Sequence, residues 1–276
     1  MYHHIKKLMY TVRVGTPDPV YGKMLLEQFG GQNGELAAAM QYTVQGINTT
    51  DPSVKDLLMD IGTEELSHLE VVGTLAMMHL KPMKGGGRAA AEADPLLAIT
   101  GGGGVNLVDS AGSAWTANYL KVTGEPDIDL RNNIAAEARA KVTYDRLMRL
   151  TDDPGTIDAL QFLMTREITH MRAFMQGLES LGKPALDVGF FAPTPGLVDQ
   201  FFNDSTGEGD DGAEDVADSA PWNKGFEVVN NPGFDPERMQ LGKVPGSAKQ
   251  DISASTRKNP EPVGGTVVSP VEHAAE

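Results

Sequence analysis

The chain has 276 residues, six histidines, no cysteine and a formal charge of −15. That length suits one large domain or a domain with a long extension. The missing cysteines exclude disulfides, iron–sulfur clusters and thiolate zinc sites, leaving oxygen and imidazole as metal ligands. The negative charge argues against nucleic acid as a partner. No apolar run reaches the roughly eighteen residues of a membrane span, and no apolar block follows Lys6-Lys7. Neither a membrane nor a secretory signal is therefore expected, and the sequence reads as cytoplasmic.

Residues 1–18 form an N-terminal segment, and 19–49 read as a first helix despite Gly30, Gly31 and Gly34. Thr50-Asp51-Pro52 supplies a cap and a proline at the first position of a second helix. Val54, Leu57, Leu58, Ile61, Leu69, Val72 and Leu75 carry that helix at helical spacing to about Leu80. A long crossover, 81–125, contains Gly85-Gly86-Gly87 and Gly101-Gly102-Gly103-Gly104 but no Gly-Lys-Ser/Thr ending, so it is not a phosphate loop. Leu130, Ile134 and Leu147 mark a third helix. Asp152-Asp153-Pro154 opens a fourth, which carries Ile157, Leu160, Leu163, Met171, Phe174, Leu178 and Leu181 and ends at Gly182-Lys183-Pro184. The expectation is an all-α fold of 19–183, with 184–276 an extended, irregular C-terminal tail that packs on its own bundle or wraps a neighbouring subunit. The acidic run Asp204 to Asp218 reads as a solvated loop.

Glu35, Glu65 and His68 recur as Glu137, Glu167 and His170, each displaced by 102 residues. Tyr42 and Tyr144, Thr63 and Thr165, and Asp51-Pro52 and Asp153-Pro154 repeat with the same offset. Glu35 and Glu65 lie fifteen residues either side of Thr50, as Glu137 and Glu167 do about Asp152. At ~1.5 Å rise per residue, each sits roughly 22 Å from its turn, at a common level of two antiparallel hairpins. Glu65 and His68 share a helical stripe with Leu58, Ile61 and Val72; Glu167 and His170 share one with Leu160, Leu163 and Phe174. Buried carboxylates converging at one height repel unless cations lie between them. A lone Glu from two helices and a Glu-x-x-His from the other two is the ligand pattern of ferritin-like di-iron and di-manganese bundles. Carboxylate and imidazole ligands leave manganese and iron both open.

At these residues the chain resembles the manganese catalases, most clearly in Glu64-Glu65-Leu66-Ser67-His68 and in Leu163 to Met171. The resemblance implies a ferritin-like four-helix bundle and two manganese ions that disproportionate hydrogen peroxide to water and dioxygen, in a homohexamer. It implies that Glu35 and His68 bind one ion and Glu137 and His170 the other, with Glu65 as the bridge. Glu167 would be an outer carboxylate that moves protons, and Tyr42 would hydrogen-bond near the cluster. Some members carry Arg immediately before the third-helix Glu, or Lys seven residues after it. Ala136 and Tyr144 stand at those places here, with Arg139 and Lys141 nearby.

The resemblance also implies structural calcium between the second helix and a neighbour's tail, matched by Asp56, Asp60, Asn203, Ser205 and Gly207, whose hard oxygen ligands suit that ion. A solvated helix face and an Asn-Asp-Ser turn explain the same residues. Two other functions use the same bundle: a di-iron oxidase or iron store, in which Glu167 becomes a direct ligand, and a structural coat-type protein. His3, His4, His79 and His273 lack a Glu three residues earlier and are expected to be solvated or core residues.

Overall fold

The computed structural model describes residues 5–85, 88, 92, 94–183, 200–203 and 227–230. Asp-Pro steps begin four of its helices. Asp18, Asp51, Asp94 and Asp153 each accept hydrogen bonds from backbone amides of the first turn, and the proline that follows occupies the first helical position. The helices are α1 (Pro19–Met24), α2 (Leu26–Gly30), α3 (Glu35–Asn48), α4 (Pro52–Leu80), α5 (Pro95–Thr100), α6 (Pro126–Met148) and α7 (Pro154–Ser180). Short 3-10 turns at Lys81–Gly85 and Ala117–Tyr119 lie in the crossover.

The first helix expected over 19–49 is divided into α1, α2 and α3. The division has a steric cause. The backbone is extended at Gly31 and at Gly34, the N-cap of α3. A Cβ on Gly31 would lie 2.3 Å from the Glu27 carbonyl oxygen, and one on Gly34 would lie 2.7 Å from the Gln28 backbone. Only glycine lets the chain fold back this tightly. The consequence is that Glu35 opens α3 rather than sitting mid-helix.

The helices α3 and α4 form one hairpin and α6 and α7 the other, and α4 also packs on α7. The arrangement is that of a ferritin-like bundle, as the helical pattern predicts. Two apolar clusters fill its interior. One gathers Val71, Val72, Leu75, Leu80, Tyr144, Leu147, Leu160 and Leu163 with the α1 and α2 side chains Tyr21, Leu25 and Leu26. The other gathers Tyr42, Val54, Leu58, Ile61, Leu130 and Phe174. Val54 near the start of α4 clusters with Phe174 near the end of α7, so the two hairpin turns lie at opposite ends of the bundle.

Between these clusters, along every long helix, lies a layer of buried polar residues: Glu35, Glu65, His68, Glu137, Glu167 and His170. A second buried polar group, Gln41, Gln45 and Asn133, ties α3 to α6, with the Asn133 amide donating to Gln45 at 2.7 Å and Gln41 donating to Asn133 at 2.9 Å. His79 is a core residue, accepting from the Asp18 amide at 3.1 Å and lying 2.9 Å from the Thr156 hydroxyl. His3, His4 and His273 lie outside the described residues.

The chain divides into two compact units, Met1–Val188 and Gly189–Glu276. In the second, β1 (Gln200–Asn203) and β2 (Glu227–Asn230) pair in parallel with Gln200 opposite Glu227. This short strand pair lies within the segment that the sequence presents as irregular.

Candidate metal centre

All six repeated residues face inward and are at most 2 % exposed, the four on α4 and α7 within largely apolar stripes. Glu65, on α4, lies at the centre. Its Oε2 is 2.8 Å from Nδ1 of His68 and its Oε1 is 2.8 Å from Nδ1 of His170. The carboxylate thus spans two imidazoles that stack with centroids 5.4 Å apart. Around Nδ1 of His68 stand Glu35 at 3.7 Å and Glu167 at 3.9 Å; near Nδ1 of His170 stands Glu137 at 3.9 Å. Among the described residues three sets of donor atoms lie within 4.8 Å of one another: Glu35, Glu65, His68 and Glu167; Glu65, Glu137 and His170; and Glu64, His68 and His170. Glu65 is common to the first two. Glu167, expected from the resemblance to stand outside the ligand shell, has an oxygen among the first set.

Two tyrosines secure the lone glutamates. The Tyr42 hydroxyl donates to Glu137 at 2.5 Å, and the Tyr144 hydroxyl donates to Glu35. Each half of the repeat therefore holds the carboxylate of the other half. Tyr42 closes the polar layer from one apolar cluster and Tyr144 from the other. At position 144, where the resemblance offers lysine as one possibility, the structure places a neutral donor. Arg139, by contrast, is exposed and donates to Asn33 at 2.9 Å.

The electrostatics reflect four carboxylates crowded out of water. Burial, and then the charge of Glu65, raise the Glu35 carboxyl to about 8 and that of Glu137 to about 7. Burial, followed by Glu35, Glu137 and Glu65, lifts Glu167 well above the usual carboxylate range. Glu65 moves the other way. Burial opposes its ionisation, but the imidazoles of His170 and His68 outweigh that cost and hold it well below the usual range. Burial would lower both histidines, yet Glu64 and Glu65 bring His170 to about 9, and Glu35, Glu64 and Glu65 raise His68 as well. Protein groups alone leave the layer incomplete. Glu65 Oε1, Glu137 Oε2, Glu167 Oε1, His68 Nε2 and both His170 ring nitrogens are buried without an aligned hydrogen-bond partner. Orphaned buried polar atoms are rare in native proteins. Oxygen and imidazole donors in two overlapping sets fit a pair of divalent ions.

The family described as manganese containing catalase matches residues 1–262. The chain belongs to the manganese catalase family. Among its relatives are a probable manganese catalase of Clostridium acetobutylicum, 41 % identical over 186 residues that cover 66 % of this chain and 81 % of the relative. Another is the manganese catalase of Bacillus subtilis, 31 % identical over 262 residues, covering 89 % of this chain and 96 % of that protein. The crystal structure of KatB, a manganese catalase from Anabaena PCC7120, superposes with a TM-score of 0.72 at 40 % identity, over 83 % of this chain and 99 % of KatB. This member of the family is accordingly an enzyme whose cofactor is manganese and whose substrate is hydrogen peroxide.

Sequence reasoning did not single out two neighbours of the layer as functional, Glu64 and Arg166, although they stand 102 residues apart like the ligand pairs. The only signal available was that offset, and because the two side chains carry opposite charge it does not read as a repeat. Asp56 and Asp60 are exposed one turn apart on α4, Asn203 ends β1, and Ser205 and Gly207 lie outside the described residues.

Proposed function

We propose that manganese catalase chemistry in this chain is carried by two manganese ions held in the polar layer of the bundle. Glu35 and His68 would hold one, Glu137 and His170 the other, and Glu65 would serve both. The position of Glu65, 2.8 Å from Nδ1 of each histidine, is the observation that carries this reading. When bound, the pair of ions supplies two electrons to one hydrogen peroxide, giving water, and takes two from another, giving dioxygen.

The protein groups do the rest. Glu167, whose ionisation is opposed by burial and by its carboxylate neighbours, stands beside His68 and can pass a proton to or from a peroxide oxygen. Tyr42 and Tyr144 fix Glu137 and Glu35, so the ligand positions do not relax between the two halves of the cycle. A cavity of 40 Å³ between α3 and α6 reaches Tyr42 and Glu137, lined also by Ala37, Gln41, Ala136 and Ala140. Its size, above the ~10–15 Å³ needed to admit one water, suits a molecule as small as peroxide. Ala136 stands in this wall where some members carry arginine, leaving space beside Glu137. This cavity is the substrate route.

The tail, 184–276, acts between subunits of a homohexamer in this reading, with calcium held by Asp56 and Asp60 of one subunit and Asn203, Ser205 and Gly207 of another. The enzyme works in the cytoplasm, and no described helix is long and apolar enough to cross a membrane. Sedimentation before and after removal of calcium tests the assembly.

Metal content of freshly purified protein, with oxygen release measured on the same sample, tests the central proposal. About two manganese per chain with vigorous oxygen release is the expected result. Iron without oxygen release would move the assignment to a ferritin-like oxidase or store. Glu65→Ala and His68→Ala should lose manganese and oxygen release together.

A further inference from the structure

The structure assigns to Glu64 a role that the ligand pattern does not contain: one carboxylate positions both metal-facing imidazoles from behind. The inference rests on the manganese reading of the site. Glu64 Oε1 lies 3.3 Å from Nε2 of His68, and Glu64 Oε2 lies 3.3 Å from Nε2 of His170. Both Nε2 atoms are buried and make no aligned hydrogen bond, and Glu64 is the carboxylate that stands in front of both. Behind the carboxylate, Arg166 donates from Nε to Oε1 at 2.6 Å and from Nη2 to Oε2 at 3.2 Å. Each Glu64 oxygen is thus shared by one imidazole and one guanidinium nitrogen. Because the rings stack only 19° from parallel, one short carboxylate reaches both.

A neutral imidazole carries its proton on one nitrogen and a lone pair on the other. With Nε2–H turned to Glu64, the lone pair must be on Nδ1, the atom that faces Glu65 and the remaining carboxylates. The ring plane is set before any metal arrives, and the proton displaced on metal binding is the one on Nδ1, while the one on Nε2 stays with Glu64. Fixing the ring in this way is the usual purpose of a carboxylate behind a ligating histidine. The bidentate guanidinium also decides a competing arrangement. Glu64, His68 and His170 could by themselves hold an ion on the Nε2 side. Arg166 already occupies both Glu64 oxygens, so a dication there would sit against a fixed positive charge.

Broken symmetry makes the device economical. A glutamate at both related positions would set two anions side by side at the edge of the layer. Arginine at 166 turns the second copy into the support of the first, and one ion pair serves two half-sites.

The test uses the full chain and its Glu64→Gln variant. Glutamine offers one carbonyl oxygen and an NH₂ group, so it accepts from one ring and presents a donor to the other. Manganese affinity, measured by competition with a chelator, should fall about 10- to 100-fold. The ion held by the ring that meets the NH₂ group should be lost first, since the other ring keeps its acceptor. Unchanged affinity for both ions would overturn the role. A second measurement needs no variant: in zinc-loaded wild-type protein with ¹⁵N-histidine, NMR should show a slowly exchanging proton on Nε2 of both rings. A proton on Nδ1, or a chain that binds neither metal, overturns it. Wild-type protein that binds zinc with this tautomer but binds no manganese would sink the manganese reading and leave the positioning role standing.

Discussion

Tyr144 donates its hydroxyl to Glu35, a residue 109 positions earlier in the chain, and Tyr42 makes the reciprocal bond to Glu137. Each phenol is fully buried, and its pKa is raised by burial and then by the glutamate it meets, so both stay neutral donors. Tyr144→Phe removes one hydrogen bond to a charged ligand, worth ~1.5–3 kcal/mol. Manganese affinity at the Glu35 half should fall by roughly tenfold or more, with the fold intact because the ring is kept. Tyr42→Phe should do the same at the Glu137 half. Stepwise chelator titration of each variant separates the two.

The protons of the metal-free centre predict its pH dependence. Glu35 and Glu137 have folded values of about 8 and 7, above their unfolded value, so the folded state keeps protons that the unfolded chain has already lost. Stability therefore falls as pH rises toward those values. His170 is raised to about 9; its contribution is complete below its unfolded value and disappears as pH passes 9. All three act in one direction, the glutamates from about pH 4.5 up to 7 and 8 and His170 from about pH 6.5 up to 9, so the combined window runs from about pH 4.5 to 9. The metal-free protein should lose thermal stability across that window. Manganese replaces those protons, so the loaded protein should hold its midpoint at the alkaline end. Equal slopes for the two forms, by calorimetry, would contradict this account.

Metal binding should also release protons. Because Glu35, Glu137 and His170 must be deprotonated to bind, manganese affinity should weaken as pH falls from about 9 to 6. Titration of metal-free protein in two buffers of different ionisation enthalpy counts the protons. A pH-independent affinity would rule out these groups as ligands.

Ala136→Leu tests the substrate route. The added side chain fills part of the 40 Å³ cavity without placing a charge near Glu137. Oxygen release at low peroxide should fall about tenfold, equivalent to ~1.4 kcal/mol of barrier, while manganese content stays constant. Unaltered kcat/KM would place the route elsewhere.

Leu160→Ala provides a contrast in which stability changes for apolar reasons. Leu160 is 0 % exposed in the cluster beside the layer, and truncation should cost ~2–5 kcal/mol. Denaturant unfolding should show that loss, whereas Ile99→Ala, at 82 % exposure, should stay within ~0.5 kcal/mol of wild type.

Much of this site is legible in the sequence because it depends on local periodicity. The Glu-x-x-His spacing, the apolar stripes beside it and the Asp-Pro starts of α4 and α7 are properties of single helices, and the 102-residue repeat places the two halves together. The break before Glu35 is less legible, because a glycine tolerated within a helix and a glycine required by a close backbone approach look alike in sequence. Tertiary structure alone decides which tyrosine meets which glutamate, which imidazole nitrogen faces the carboxylates, and that Glu64 and Arg166 form a pair. Those outcomes depend on how two hairpins cross. Residues 102 or 109 positions apart meet or miss by a few ångströms, a distance set by packing between helices rather than by the pattern along any one of them.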